Sequence, residues 1–97
     1  MSDLKNEIIY ERDFLKDAGH LPLSIQKKLS ELIEVLREDP FDPQLHTKQL
    51  STPLQGMFSF RITRGYRAGF KFYAQHTIQL LAIDRRDKIY GRLRRKT

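Results

Sequence analysis

The run IQLLAI, residues 78 to 83, is apolar everywhere except Gln79. Both parities of an extended chain therefore carry hydrocarbon there, and such a strand belongs in the middle of a sheet with both faces buried. In a chain of 97 residues everything else is arranged around it. Two alternating segments precede it, Met57 to Thr63 and Tyr66 to Tyr73. They read as a hairpin turning on Thr63-Arg64-Gly65, with Gly65 placed for the backbone conformation of a three-residue turn. Gln75 and His76 mark the next turn.

Upstream, KNEIIYER (5 to 12) reads as a first strand with Ile8 and Tyr10 on one side. Asp13 to Gly19 is a short helix with Phe14 and Leu15 as its apolar face, ended by Gly19. Leu21-Pro22 opens a second helix, since proline suits a first turn whose amide would be unpaired anyway. Ile25, Leu29, Leu32 and Leu36, with Ile33 beside them, form one stripe, and Asp39-Pro40 stops the helix. Pro40 to Gly56 shows no period, and Leu45, Leu50 and Leu54 are expected to pin it to the core. Arg85 to Thr97 reads as a polar tail with one helical turn around Ile89 and Leu93. The order strand, helix, helix, strand, strand, strand implies a single α+β domain over 1–97. Two N-terminal helices pack on one face of a mainly antiparallel sheet, and the other face is left open.

Charge is distributed unevenly. Residues 1–60 carry seven Lys or Arg against ten Asp or Glu, net −3, whereas residues 61–97 carry eleven against two, net +9. Such asymmetry points to a polyanion or an acidic protein partner. No cysteine is present, which excludes disulfides and thiolate metal sites. The three histidines, at separations of 26 and 30 residues, form no ligand spacing, and no metal or other cofactor is expected. No stretch is apolar enough for a membrane span and the start, MSDLKNEIIYERD, lacks leader features, so a cytoplasmic location is expected.

Parity places the cations. Phe58, Phe60 and Ile62 share one face with Tyr66, Ala68, Phe70 and Phe72, so Ser59, Arg61, Arg67, Gly69 and Lys71 point the other way. The exit of the IQLLAI strand delivers Arg85 and Arg86 to the same rim. The expected result is a cationic concave surface with Gly69 in its middle. Like charges this close repel unless an anion sits among them; nucleic acid or an acidic protein would fit.

Over nearly its whole length the chain resembles the RelE/ParE superfamily of bacterial type II toxins. The resemblance rests on LPLSIQKKLSELIEVLREDP, KQLSTPLQGMFSFRITRGYRAGF and IDRRDKIY, and on the ordered set Arg61, Tyr66-Arg67, Arg86 and Tyr90. It implies two N-terminal helices on a curved, mainly antiparallel four-stranded sheet. It also implies a toxin neutralised by a cognate antitoxin in a hetero-oligomer. Many members are ribosome-dependent endoribonucleases that cut mRNA without metal. The ParE branch instead poisons DNA gyrase, and a degenerate member would keep only RNA or antitoxin binding.

Carried over by residue, Arg67, Arg86 and Tyr90 match family positions, with Arg85 able to substitute for Arg86; with Arg61 they form the expected catalytic set, and Arg64, Lys71, Arg85, Lys48 and His46 form the expected RNA-binding set. Two lysines found on the second strand of some ribonuclease members have no counterpart: with one residue inserted in the turn, Met57 and Ser59 stand there. Metal-free cleavage uses the 2′-hydroxyl as nucleophile, so it needs a base, cations for the phosphorane and an acid for the leaving 5′-oxygen. Arginine suits the middle task. For the proton transfers Tyr90, His46, Lys48, His76 and Asp84 stay open. Asp84 is also placed to pair with Arg85 or Arg86. Arg92, Arg94, Arg95 and Lys96 either add RNA affinity or form a solubilising tail.

Overall fold

The computed structural model describes residues 5–97. Residues 1–4, part of the stretch without leader features, lie outside the described residues. Strand β1 (Glu7–Tyr10) is followed by helices α1 (Arg12–Gly19) and α2 (Leu23–Glu38), a 3-10 turn at Pro43–Leu45, strands β2 (Lys48–Gln49), β3 (Met57–Thr63), β4 (Tyr66–Ala74) and β5 (Thr77–Arg85), and helix α3 (Ile89–Arg94). The sheet has five strands in the order β1-β5-β4-β3-β2, with β1 parallel to β5 and the remaining pairs antiparallel.

The four-stranded expectation is therefore one strand short. The missing strand, β2, holds two residues inside the segment 40–56. A two-residue strand has no alternation to read. Helices α1 and α2 do pack on one face as expected. Phe14, Leu29, Leu32, Ile33 and Leu36 meet Phe60, Ile62, Ala68 and Phe70 there, with Leu45 beneath them. Pro22 stands just before the first turn of α2, and Asp39 closes it in extended backbone.

The other face is not open. Helix α3 and the loop after β2 cover part of it, and Leu50, Leu54, Met57, Leu81, Ala82, Ile89 and Leu93 form a second buried cluster. A bulge in β5 supplies that cluster. Gly69 pairs with Ala82 but Phe70 with Leu80, so Leu81 is an extra residue, and both it and Ala82 face α3. Ile78, Leu80 and Ile83 belong to the helical side, so IQLLAI is buried on both faces as its sequence requires. The Gly69 position is also corrected. A Cβ there would lie 2.5 Å from Leu93 Cδ2, so the glycine is the seat of α3 and not an open floor. Nor does the hairpin need Gly65 in the left-handed region: Arg64-Gly65 alone joins β3 to β4, and the glycine with positive φ among the described residues is Gly56, at 89°.

The tail is structured by charge as well as by Ile89 and Leu93. Arg92 Nη2 lies 2.8 Å from Asp17 Oδ2 on α1, and Arg92 Nη1 3.3 Å from Asp84 Oδ2. Lys96 Nζ donates to Glu11 Oε1 at 3.0 Å and to Asp13 Oδ2 at 2.8 Å. Asp17 Oδ2 also accepts from the Ile83 amide at 2.9 Å, tying helix α1, strand β5 and helix α3 together. Asp84 thus pairs with Arg92 instead of Arg85 or Arg86. Arg92 and Lys96 are structural latches and not a loose tail. Among the described residues no helix is long and apolar enough to cross a membrane.

Candidate functional site

Strands β3 and β4 set Arg61 and Arg67 directly opposite each other. Two guanidinium groups on one face of neighbouring strands repel, and the chain manages this by treating them differently. Arg61 is exposed, whereas Arg67 is only 7% exposed. The Arg67 fork is held on one side. Its Nε donates to Ser59 Oγ at 2.9 Å, and its Nη2 donates to the carbonyls of His46 at 2.7 Å and Ser59 at 3.1 Å. Nη1 makes no hydrogen bond among the described residues, so it is the edge left for a ligand. Burial holds this guanidinium below its ordinary pKa, with Tyr90 opposing the drop and Arg61 adding to it. It remains a cation at any physiological pH.

The His46 carbonyl reaches Arg67 because His46 ends the 3-10 turn in left-handed backbone, φ 47°. Histidine adopts that region more readily than most side chains do, though at a cost. After His46 the chain enters β2, where Lys48 stands opposite Ser59 and so shares its face. Arg86 follows β5, and its amide donates to the Gly65 carbonyl at 3.0 Å, fixing the β5 exit to the hairpin tip that carries Arg64. Tyr90 comes from the first turn of α3 and is half-buried against the second cluster.

These groups enclose a cleft of about 450 Å³ lined by Arg61, Arg64, Arg67, Arg86, Lys48, His46, Tyr90 and Asp87. Seven of the nine residues singled out from sequence meet there. Lys71 does not line it: it sits further along β4, between Met57 and Gln79. Arg85 is exposed beside the cleft and does not line it either. Of the proton-transfer candidates, Asp84 is committed to Arg92, and His76 lies in the β4–β5 turn, outside the cleft. Two residues of the site escape a sequence reading. Ser59, fully buried, orients Arg67 from a position that parity alone marks as surface. Asp87 is the one carboxylate lining the cleft, and no ion pair holds it among the described residues; IDRRDKIY offers two aspartates, and nothing in that string says which is latched.

Chemically the cleft suits a phosphodiester. Four arginines and a lysine surround it, one of the arginines pre-oriented, and an aromatic ring, an imidazole and a carboxylate are within the same walls.

No family model and no curated protein sequence matches the chain. Solved structures do. The RelBE2 toxin–antitoxin complex of Mycobacterium tuberculosis superposes with a TM-score of 0.73 at 24% identity, covering 88% of this chain and 95% of that one. A YoeB/ParE toxin from Agrobacterium tumefaciens gives 0.72 at 16%, covering 81% and 96%. The RelB–RelE antitoxin–toxin complex of Methanococcus jannaschii gives 0.69 at 22%, covering 87% and 96%. The chain has the fold of the RelE/ParE superfamily of toxins.

Proposed function

We propose that this chain, a RelE/ParE fold with a cationic cleft, is the toxin of a toxin–antitoxin pair and acts as a metal-free endoribonuclease on mRNA held in the ribosome. The observation that carries the reading is the Arg67 guanidinium, buried and held by three hydrogen bonds with its Nη1 edge left for a ligand. A cation fixed before the substrate arrives stabilises developing charge without reorganising, which is what a phosphorane needs and what a binding surface does not require. Arg67 and Arg86 stabilise the phosphorane from two sides, with Arg61 adding charge, and Arg64 and Lys48 hold the flanking backbone. The 2′-hydroxyl attacks the adjacent phosphorus, the O5′ bond breaks, and the products are a 2′,3′-cyclic phosphate and a 5′-hydroxyl. The proton transfers belong to the remaining cleft groups, Tyr90, His46, Lys48 and Asp87. With no committed base–acid pair, the ribosome is expected to orient the substrate, and free RNA to be cut poorly.

An antitoxin partner is supported by the solved relatives, several of which are toxin–antitoxin complexes. Net +9 over residues 61–97 suits an acidic antitoxin segment that neutralises the cleft. A gyrase poison is the second reading, and one observation favours it. Met57 is buried in the second cluster and Ser59 is bound to Arg67, so β3 offers no lysine to the cleft. Brief induction with two readouts separates them. Cleavage mapped within translated mRNA, with purified gyrase still supercoiling normally, supports the ribonuclease; inhibited gyrase with intact messages overturns it.

A further inference from the structure

The cleft does not end at Tyr90. A second hollow, of about 520 Å³, runs along β2 and the loop after it, and the two share Lys48 and Tyr90 as walls. Its chemistry differs from the cleft's. Leu50, Leu54 and Pro53 give it an apolar floor, Ser51 and Thr52 bring hydroxyls, and Arg94 stands in its wall. Neither hydroxyl is engaged in a hydrogen bond among the described residues.

The edge of β2 adds a matched donor and acceptor. In an antiparallel ladder, hydrogen-bonded and non-hydrogen-bonded pairs alternate. The Leu50 amide donates to the Met57 carbonyl at 2.9 Å, so the next pair, Gln49 with Phe58, is the open kind. Gln49 therefore turns its N–H and C=O away from the sheet, along the hollow it lines.

We propose that this hollow is a nucleobase subsite, holding the base of the nucleotide next to the scissile phosphate. The inference rests on the ribonuclease reading and deepens it. Single-stranded RNA is recognised by stacking bases on flat or aromatic side chains and by hydrogen bonds to their edges. The cleft has the charge for phosphate, and the hollow has the apolar floor and the edge-reading pair for a base. Tyr90 lies between them, and Lys48 and Arg94 are placed for the phosphates on either side. A peptide strand added to β2 is the competing occupant, but β2 is two residues long and Gln49 is its one outward-facing residue. One donor–acceptor pair matches one base edge, whereas an added strand needs a ladder.

The test titrates the isotope-labelled full chain, followed by amide NMR, with short single-stranded RNA oligomers. Each carries one 2′-deoxynucleotide so that it cannot be cut there, and a companion series removes single bases. The expected result is an affinity loss of about five- to hundredfold on removing one particular base next to the deoxynucleotide, with shifts at the Gln49 and Ser51 amides. Ser51→Trp, which fills the hollow from an exposed position, should bind the intact oligomer as weakly as the abasic one, with no further loss on base removal. Binding that Arg86→Ala abolishes but base removal leaves unchanged overturns the subsite alone. So does a Ser51→Trp protein as sensitive to the base as wild type, or a hollow whose amides respond only to an acidic peptide. No binding of any oligomer by the wild type overturns the subsite, whereas the ribonuclease reading stands or falls separately on cleavage mapped within translated mRNA.

Discussion

Arg67 and Arg86 line one cleft but stand in opposite relations to the fold. Arg86 is exposed, and its side chain makes no hydrogen bond among the described residues, so Arg86→Ala removes charge and little else. The expected outcome is a cleavage rate lower by about a hundredfold to a thousandfold and a stability change within about 0.5 kcal/mol. Arg67→Ala removes the same kind of charge, but it also leaves the buried Ser59 hydroxyl and two carbonyls without their donor. That costs on the order of 1–3 kcal/mol in addition to activity. Thermal melts of both variants beside cleavage assays separate the two roles; equal melting temperatures would contradict the anchoring of β3 and His46 through Arg67. From sequence, parity correctly turns Arg67 toward the cleft but reads it as a surface side chain. Its burial depends on the 43–46 turn folding back over it, and nothing in PQLH announces a left-handed histidine.

Helix α3 is six residues long, too short to be stable by propensity. It persists because Leu93 enters the space that Gly69 leaves empty and because Arg92 and Lys96 are latched to α1 and to the chain entering it. Gly69→Ala should cost about 1–3 kcal/mol by overpacking, and pairing it with Leu93→Ala should cost less than the sum of the two single changes, because the smaller side chain makes room. Additive losses in denaturant melts would contradict the contact. The latch also has a pH signature. The Lys96 hydrogen bond and charge hold Asp13 below the ordinary carboxylate value, so its contribution is present above about pH 4 and is lost as pH falls through the lowered folded value. Burial works against the Lys96 charge, but hydrogen bonds to Asp13 and Glu11 win and raise its pKa. Its contribution is complete below about pH 10 and is lost as pH rises through the raised value. Lys96→Ala should flatten both limbs of the stability–pH curve, and an unchanged acid limb would contradict the Asp13 pairing. Ile89 and Leu93 are visible in the sequence as an i, i+4 pair, but the four cations after Gly91 dominate the string, and the carboxylate partners of two of them, Arg92 and Lys96, lie as far as 85 positions away. Long-range pairing of that kind leaves no local trace.

At the scale of the whole molecule, the α+β layering, the hairpin, the central strand and most of the cleft were legible because each follows from a short-range rule: parity, a four-three-four stripe, a turn. The second core, β2 and Asp87 were not: β2 is two residues long, the second core requires α3 to fold back onto β4 and β5, and no local pattern says which aspartate faces the cleft. The charge asymmetry gives the assembly its expected salt response. Each lost contact between an arginine and a phosphate should reduce the slope of log affinity against log salt by about 0.7 for single-stranded RNA. Arg86→Ala should therefore bind RNA with a shallower slope than wild type. An unchanged slope would mean that Arg86 does not touch the backbone.

The central claim is that the Arg67–Arg86 cleft breaks RNA through the 2′-hydroxyl. The most direct measurement is transcriptome-wide mapping of RNA ends after brief induction of wild type and of Arg86→Ala at matched protein levels. The account predicts new 5′-hydroxyl ends, paired with 2′,3′-cyclic phosphates, inside translated reading frames for wild type and their near absence for the variant. Growth arrest by wild type with no new 5′-hydroxyl ends, or the same ends at the same frequency from Arg86→Ala, would contradict it.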